Sequence, residues 1–431
     1  MNNWSEVLLK DICDITRGAS PRPIHDFMTE DLDGIPWVKI RDATASNTRF
    51  IENTKGFIKK ESKNKSVSVI SGDLIVSNSA TPGLPKIMGI DACIHDGWLL
   101  LRNLNGVCKE FLFYLLINDR KQIVSQGTGT IFTNLKTDIL KNHQIKLPPI
   151  SEQEEIASFL GSVDDKIELN QKMNKTLEEI AKTLFKSWFI DFDPVRAKAE
   201  GRPTGLSKEI SDLFPDYFVD SELGEIPKGW KVENIGNSFE VLLGGTPSRK
   251  KEEYWDGDIP WINSGEINNF RVLRPSEFIS EEGFKNSSTK LLPKRSTLIA
   301  ITGATLGQIS LNEIEVCANQ SVIGIPPSKK VPSEYVYLWI SSTVQKLISS
   351  QTGGAQQHIN TNNVKEHLIL LPSENCNNFL KNLLTPVFDK ISNNLFEIQA
   401  LSEIRDTLLP RLISGELQIP DAENLIEEGG N

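Results

Sequence analysis

Residues Ser151–Ile190 read SEQEEIASFLGSVDDKIELNQKMNKTLEEIAKTLFKSWFI and follow directly on Pro148 and Pro149. Ser151 and Glu154 have the spacing of a capping box, in which the hydroxyl accepts from the Glu154 amide and the carboxylate reaches back. Apolar residues then return every seven positions at Ile156, Val163, Leu177 and Leu184, with Asn170 the one polar member. Leu160, Ile167, Ala181 and Trp188 stand four residues later on the same face. Glu168–Lys172 and Glu178–Lys182 are in the favourable i,i+4 order expected of an outer surface. A helix this long with an apolar seam needs a partner helix.

The partner is written in the same chain. Adding 224 to each number gives Leu380, Val387, Asn394, Leu401 and Leu408, and for the second series Leu384, Ile391, Ile398, Arg405 and Leu412. Gly161-Ser162 becomes Thr385-Pro386, a cap followed by proline at a first helical position, so both helices are expected to restart there. From that break each runs for roughly 28 residues, or 40 Å at the rise of an α-helix. Two unrelated core helices would explain the apolar face but neither the common register nor the twin asparagines.

The segments ahead of the helices repeat as well. At the same offset Ile35-Pro36-Trp37 falls on Ile259-Pro260-Trp261, Leu74-Ile75 on Leu298-Ile299, and Leu147-Pro148 on Leu371-Pro372. With a small slip, the loop Arg17–Pro21 falls near Gly244–Ser248. Runs such as LIVSN, WLLLRN, TLIAI and SVIGI are short and β-branched between turn signals and read as strands. Helices are expected over Glu110–Val124 and Glu334–Ser349. Between these anchors the two copies differ greatly, so the architecture repeats and the intervening surface does not. The stretch Asp191–Gly229, with Pro and Gly throughout, reads as an ordered but irregular connector, and the tail after Gly415 as frayed.

At 431 residues the chain allows two or three domains. No stretch approaches 18 consecutive apolar residues, and the N-terminus lacks the pattern of a signal peptide. Five scattered cysteines, Cys13, Cys93, Cys108, Cys317 and Cys376, with no C-x-x-C, point to a reduced, cytoplasmic protein without zinc. The formal net charge is −10, but it is unevenly distributed: +3 over residues 1–150, −7 over 151–228, zero over 229–372 and −6 over 373–431. The acidity sits on the helices and connector. A nucleic-acid reader needs only a local basic face, so the net charge does not exclude one. It does predict weak, salt-sensitive binding by the isolated chain.

Catalytic motifs are absent from the sequence: no phosphate-binding G-x-x-x-x-G-K-[ST], no strand-following G-x-G-x-x-G, no H-E-x-x-H and no G-x-S-x-G. His25, His95, His143, His358 and His367 have no metal-ligand spacing, and Asp91 with His95-Asp96 reads as a surface turn. Nor is there an N-P-P-[YF] or D-P-P-[YF] to hold an exocyclic amine. The chain is expected to catalyse nothing alone.

Two similar but differently surfaced domains spaced by two helices suit the reading of two different short sequences. The order LPPISEQEEIASFLGSVDDKIELNQKMNKTLEEIAKTLFKSWFIDFDPVRAK, FVDSELGEIPKGW, and a second copy ending in IRDTLLPRLISGEL resembles the specificity subunit of type I restriction–modification systems. The resemblance covers essentially the whole chain. Its most specific parts are Pro148, Pro149, Glu152 and Gln153, then Trp188, Phe189, Asp191 and Phe192, then Leu409–Leu412 with Ser414-Gly415. The second helix start, Pro372–Cys376, departs from this pattern.

The resemblance implies an α+β fold with an internal pseudo-twofold repeat. Residues 1–150 and 229–372 would be mixed α/β target recognition domains, separated by long helices at 151–190 and 373–415 that pair as an antiparallel coiled coil, with a linker at 191–228 and a tail at 416–431. Each domain would read half of a bipartite site on double-stranded DNA, and the helices would set the spacer, suiting half-sites one turn apart. The helices would also dock two modification subunits that use S-adenosylmethionine to methylate adenine. Motor-nuclease subunits using ATP and Mg2+ would complete the complex. This chain itself would bind no cofactor and meet no membrane.

Base reading calls for Arg on guanine and Asn or Gln on adenine, with Lys, Thr and amides on phosphates. On the loops the candidates are Arg17, Arg22, Lys39, Arg41, Asn78, Thr128, Thr130 and Asn134 in the first half. In the second they are Arg249, Lys250, Asn263, Arg271, Thr302, Gln356, Gln357 and Asn360. Asn170 and Asn394 are assigned a different role, near the pseudo-twofold axis, fixing helix register at a cost in stability. Three rival readings stay open: an adaptor that binds only proteins, a self-contained enzyme, and a half-site reader acting as a dimer. Two complete halves in one chain argue against the last.

Overall fold

The computed structural model describes residues 4–46, 48–126, 134–349, 358–422 and Asn424. The chain divides into two compact units, residues 1–171 with 397–431, and Lys172–Phe396. The division runs through both long helices, Ile150–Phe185 and Glu374–Ile413, so each gives its first part to one unit and its second part to the other.

In the first unit, strand Ser5–Leu8 pairs antiparallel with Gln144–Leu147, the strand that leads into the first long helix. A five-stranded sheet runs Asp14–Arg17, Trp98–Arg102, Leu74–Ser77, Pro85–Met88, Phe50–Ile51. A second runs Met28–Thr29, Phe57–Ile58, Ile35–Val38, Ala92–Ile94, Val67–Val69. Helix Lys109–Ser125 supplies Phe111, Leu112, Leu115 and Leu116 to the core behind them. Strands Leu74–Ser77, Pro85–Met88, Ala92–Ile94 and Trp98–Arg102 are buried on both faces, which is why they read as continuous apolar runs rather than alternations.

The second unit repeats this plan with two four-stranded sheets in place of the five-stranded ones. Ala92–Ile94 runs parallel to Ile35–Val38 with Cys93 opposite Trp37, and Val316–Ala318 runs parallel to Trp255–Ile262 with Cys317 opposite Trp261. Ser5 faces Leu147 in one unit and Lys231 faces Leu371 in the other. Helices Lys109–Ser125 and Ser333–Ser349 stand 224 residues apart. The fold is α+β with an internal repeat.

The long helices pair antiparallel within each unit. In the first, Arg405 Nη1 donates to Asp164 Oδ1 (2.7 Å) while Asn170 Nδ2 donates to Glu397 Oε2 (2.9 Å), so the numbering rises on one helix as it falls on the other. In the second, Asn394 Nδ2 donates to Asn174 Oδ1 (2.8 Å), and the Trp188 and Phe379 rings lie 6.2 Å apart.

Several expectations need correction. Neither helix restarts at Gly161-Ser162 or Thr385-Pro386. The helices run unbroken for 36 and 40 residues, or about 54 and 60 Å. Pro386 loses one backbone hydrogen bond, but it is exposed, and buried Leu384 and Phe388 on either side hold the helix to its unit. Ser151 is not the cap: the helix begins at Ile150 with Gln153 N–H donating to Pro149 O (3.1 Å). The first α-helix ends at Phe185, and a π-helical turn, Lys186–Ile190, follows. Glu168 and Glu178 are buried, not on an outer surface. The connector carries helix Asp193–Ala199 and the hairpin Phe218–Ser221 with Gly224–Pro227. The tail is docked as far as Ala422, with Leu417 and Ala422 buried in the first unit's core. Among the described residues no helix is long and apolar enough to cross a membrane.

Candidate nucleic-acid interface

In the first unit three loops converge on Asp96, in the turn between Ala92–Ile94 and Trp98–Arg102. Gly18 lies so close to the backbone that an added Cβ would stand 2.1 Å from His95 O, which is why glycine opens this loop. Beyond it, Ser20 Oγ donates to Asp96 Oδ1 (2.5 Å), and Arg17 Nε to Asp96 O (2.9 Å). Arg17 and Arg22 place an Nη2 at 4.0 and 3.7 Å from Asp96 Oδ2, with side chains 58% and 82% exposed. Asn78, at the end of strand Leu74–Ser77, donates from Nδ2 to Asp96 O (2.9 Å). Its own carbonyl accepts from Leu135 N–H (2.7 Å).

The electrostatics follow from these contacts. The Ser20 hydroxyl, helped by His95 and Arg17, holds the Asp96 carboxyl below its ordinary range despite some desolvation. Burial pushes the His95 imidazole down, Asp96 opposes that, and Lys39 reinforces it. The cluster therefore presents cationic side chains around one ionised carboxylate and a neutral imidazole.

The second unit builds the same loop with different groups. Gly244 packs as Gly18 does, its notional Cβ 2.1 Å from Asn319 O. The bond made by Ser20 and Asp96 is made here by the Thr246 hydroxyl and Gln320 Oε1. An amide replaces the carboxylate. Arg249 instead gives Nη1 and Nη2 to Glu277 and stacks on Trp255, 3.5 Å from the ring centroid.

The candidates thus part into groups. Arg17, Arg22, Arg41, Asn134, Lys250 and Asn360 are exposed, Lys39 and Thr302 partly so. Asn78 and Arg271 are 3% exposed and cannot reach a base edge, which corrects their assignment. Arg271 is spent inside the second unit on Glu178 Oε2 (2.7 Å), with Glu178 Oε1 also accepting from Tyr337 (2.7 Å). Burial alone would raise the Glu178 carboxyl, but Arg271, Tyr337 and Lys182 outweigh it and hold it below the usual range. Asn263 caps the turn Ser264–Asn268, and Asn360 caps helix Thr361–Glu366. Thr128, Thr130, Gln356 and Gln357 lie outside the described residues. Ser20, Thr246 and Gln320 are not site candidates in the sequence, and Asp96 reads there only as part of a surface turn. The signal was the offset, 224 residues on one side of each bond and 226 on the other.

Among the helix-pairing residues, Ile156, Val163, Leu380 and Leu408 are buried, and Leu177, Leu184, Val387 and Leu401 are half-buried. Asn170 and Asn394 are both buried and bond the facing helix, Asn170 through Glu397 and Asn394 through Asn174. Gln153 explains the glutamine at the first helix start. Its side chain donates to Pro148 O (2.9 Å) and accepts from Cys108 N–H (2.8 Å), which fastens the helix to its domain. Among the described residues no group of three or more His, Cys, Asp or Glu could hold a metal ion.

A family model described as type I restriction modification DNA specificity domain matches residues 1–179 and again 227–394. The chain is 28% identical to the type I restriction enzyme HindI specificity subunit of Haemophilus influenzae, over 97% of this chain and 100% of that one. It is 26% identical to the MjaIX specificity subunit of Methanocaldococcus jannaschii, over 97% and 94%. A crystal structure of a type I restriction–modification S subunit from M. genitalium shares the fold, with a TM-score of 0.59 and 15% identity over 95% and 96% of the two chains.

Proposed function

The chain belongs to the type I restriction–modification DNA specificity family, and from that premise we propose that each of its two domains reads one half of a bipartite, asymmetric DNA site. As a specificity subunit it recognises DNA by sequence and assembles with the other subunits of its system, in which methylation and cleavage reside.

The observation that supports the two-half reading is the repeat itself. The same strands pair in the same register, Cys93 on Trp37 and Cys317 on Trp261, while the loops they carry differ, Ser20–Asp96 against Thr246–Gln320. A duplicated scaffold with unlike loops supplies two different sets of donors and acceptors for base edges in the major groove. Arg17, Arg22 and Lys39 are the side chains proposed for the first half, Lys250 and Thr302 for the second. The long helices set the non-specific spacer and dock two modification subunits, which take S-adenosylmethionine and methylate adenine. Motor-nuclease subunits with ATP and Mg2+ add cleavage, and the assembly works in the cytoplasm.

Sequencing of methylated bases in the host with and without this chain tests the reading. A bipartite adenine-methylation motif is expected to vanish when the chain is deleted. A methylation pattern unchanged by the deletion would refute it.

A further inference from the structure

Asp96 stands out once the two units are superposed by number. Its Oδ1 is taken by the Ser20 hydroxyl at 2.5 Å, which leaves Oδ2 facing both Arg22 and Arg17 at 3.7 and 4.0 Å. Its carbonyl fixes Arg17 Nε and the buried Asn78 amide, each at 2.9 Å. One residue therefore orders side chains from two segments of the chain, Arg17–Arg22 and Asn78. The cluster does little for stability: Asp96 is 40% exposed and its arginines more so, and ion pairs in that setting contribute at most about 1 kcal/mol. What the arrangement does provide is direction. An arginine reads guanine with two parallel N–H groups on O6 and N7, a contact that requires the fork to be aimed before the base arrives. Arg17 turns its Nε–Nη2 side to Asp96, which leaves Nη1 free, while Arg22 faces the carboxylate through Nη2 alone and keeps a side chain 82% exposed.

We propose that Asp96 is a positioning residue for base reading, which aims Arg22 and Arg17 at guanine in the half-site of the first domain. The inference rests on the two-half reading above. The second domain differs at the equivalent place: Gln320 carries no charge, and Arg249 has given both Nη groups to Glu277.

The test is binding selection on randomised duplexes by the purified, fully assembled complex, with the native chain and with Asp96→Asn, Asp96→Glu and Arg22→Ala. Asparagine keeps an oxygen for Ser20 and removes only the charge. With Asp96→Asn and Arg22→Ala, preference at a guanine of one half-site is expected to fall about tenfold, within the range of a lost bidentate contact. The other half-site keeps its preference, and Asp96→Glu retains part of the lost selectivity. Unchanged preference in both halves would overturn the proposal. So would an equal loss in both halves accompanied by a lower melting temperature, which would mark Asp96 as structural. If the native complex selects no bipartite motif at all, the two-half reading fails instead, a result distinct from either.

Discussion

The first unit holds His143 against Asp119, with Nε2 2.9 Å from the carboxylate, and the second holds His367 against Thr343, with Nε2 2.9 Å from the hydroxyl. Both partners stand 224 residues from their counterparts, so one scaffold position carries an anion in one unit and a neutral group in the other. The helix ends differ in the same manner. Leu408, Leu409, Leu412 and Ile413 close the core of the first unit, and Leu184, Phe185, Trp188 and Phe189 close that of the second. Phe189 stacks on Trp230 at 5.4 Å and meets Tyr335 edge-on at 5.5 Å, contacts an isoleucine cannot reproduce. Duplication preserved backbone pairing and burial at these places and left the polar chemistry free to diverge. Pairing is a property of the backbone, whereas a hydrogen-bond partner changes with a single side chain.

The buried ion pairs offer the largest test of this contrast. In the second unit the Arg271 side chain is fully buried against Glu178 and lies 3.9 Å from Glu313. Arg271→Ala removes a fully buried cation from Glu178, which keeps Tyr337 and Lys182, and from the neighbourhood of Glu313, which keeps Arg295 and Ser392, and is expected to cost about 3 kcal/mol. In the first unit Arg49 bonds Glu168 and the exposed Asp165, and nearby Asp164 keeps Arg405 and Tyr114, both at 2.7 Å. Arg49→Ala should therefore cost less, about 1–3 kcal/mol. Denaturant unfolding of the two variants measures the difference, and equal costs would break the contrast.

A smaller effect arises at His367 as the pH falls. Burial, with Lys346 nearby, lowers the His367 imidazole from its ordinary 6.5 to about 4. Above pH 6.5 the ring is neutral whether the chain is folded or not. As the pH falls from 6.5 towards 4 the unfolded chain takes up the proton first, so the second unit loses stability, by about 2–3 kcal/mol at the lower end. Thr343→Asp, which supplies the partner that His143 already has, should flatten that loss. Hydrogen exchange across helix Ser333–Ser349 at pH 7 and pH 5 reads it directly, and an equal pH response from the variant would contradict the assignment.

The smallest expected effect lies on the helix seam. Asn394→Ala removes the donor to Asn174 Oδ1 in a buried site and should cost about 1 kcal/mol or slightly more. Asn170→Ala should cost less, since Glu397 also pairs with Lys166 at 3.3 Å. Thermal melts of the two variants rank them, and the opposite order would show that the seam is held elsewhere.

Much of the architecture was legible because apolar spacing reports burial. Ile156, Leu160, Leu380 and Leu384 face their cores as the seven-residue pattern requires. The misreadings came from treating local signals as decisive. Gly161 and Pro386 weaken a helix locally, yet packing carries it through both. The i,i+4 spacing of Glu168 and Glu178 said nothing of the arginines that bury them, Arg49 and Arg271, which come from distant loops. Arg271 and Asn78 looked like base readers because residue type gives no measure of exposure.

The amino-acid sequence by itself determined the duplication, the strand and helix order, the seam and the family to which the chain belongs, because periodicity and offset are properties of a one-dimensional string. Only the tertiary structure decided which charged side chains face solvent and which are spent inside. That choice depends on partners brought together across the fold, as Ser20, Arg17, Asn78 and Asp96 are, and no spacing along the chain encodes it.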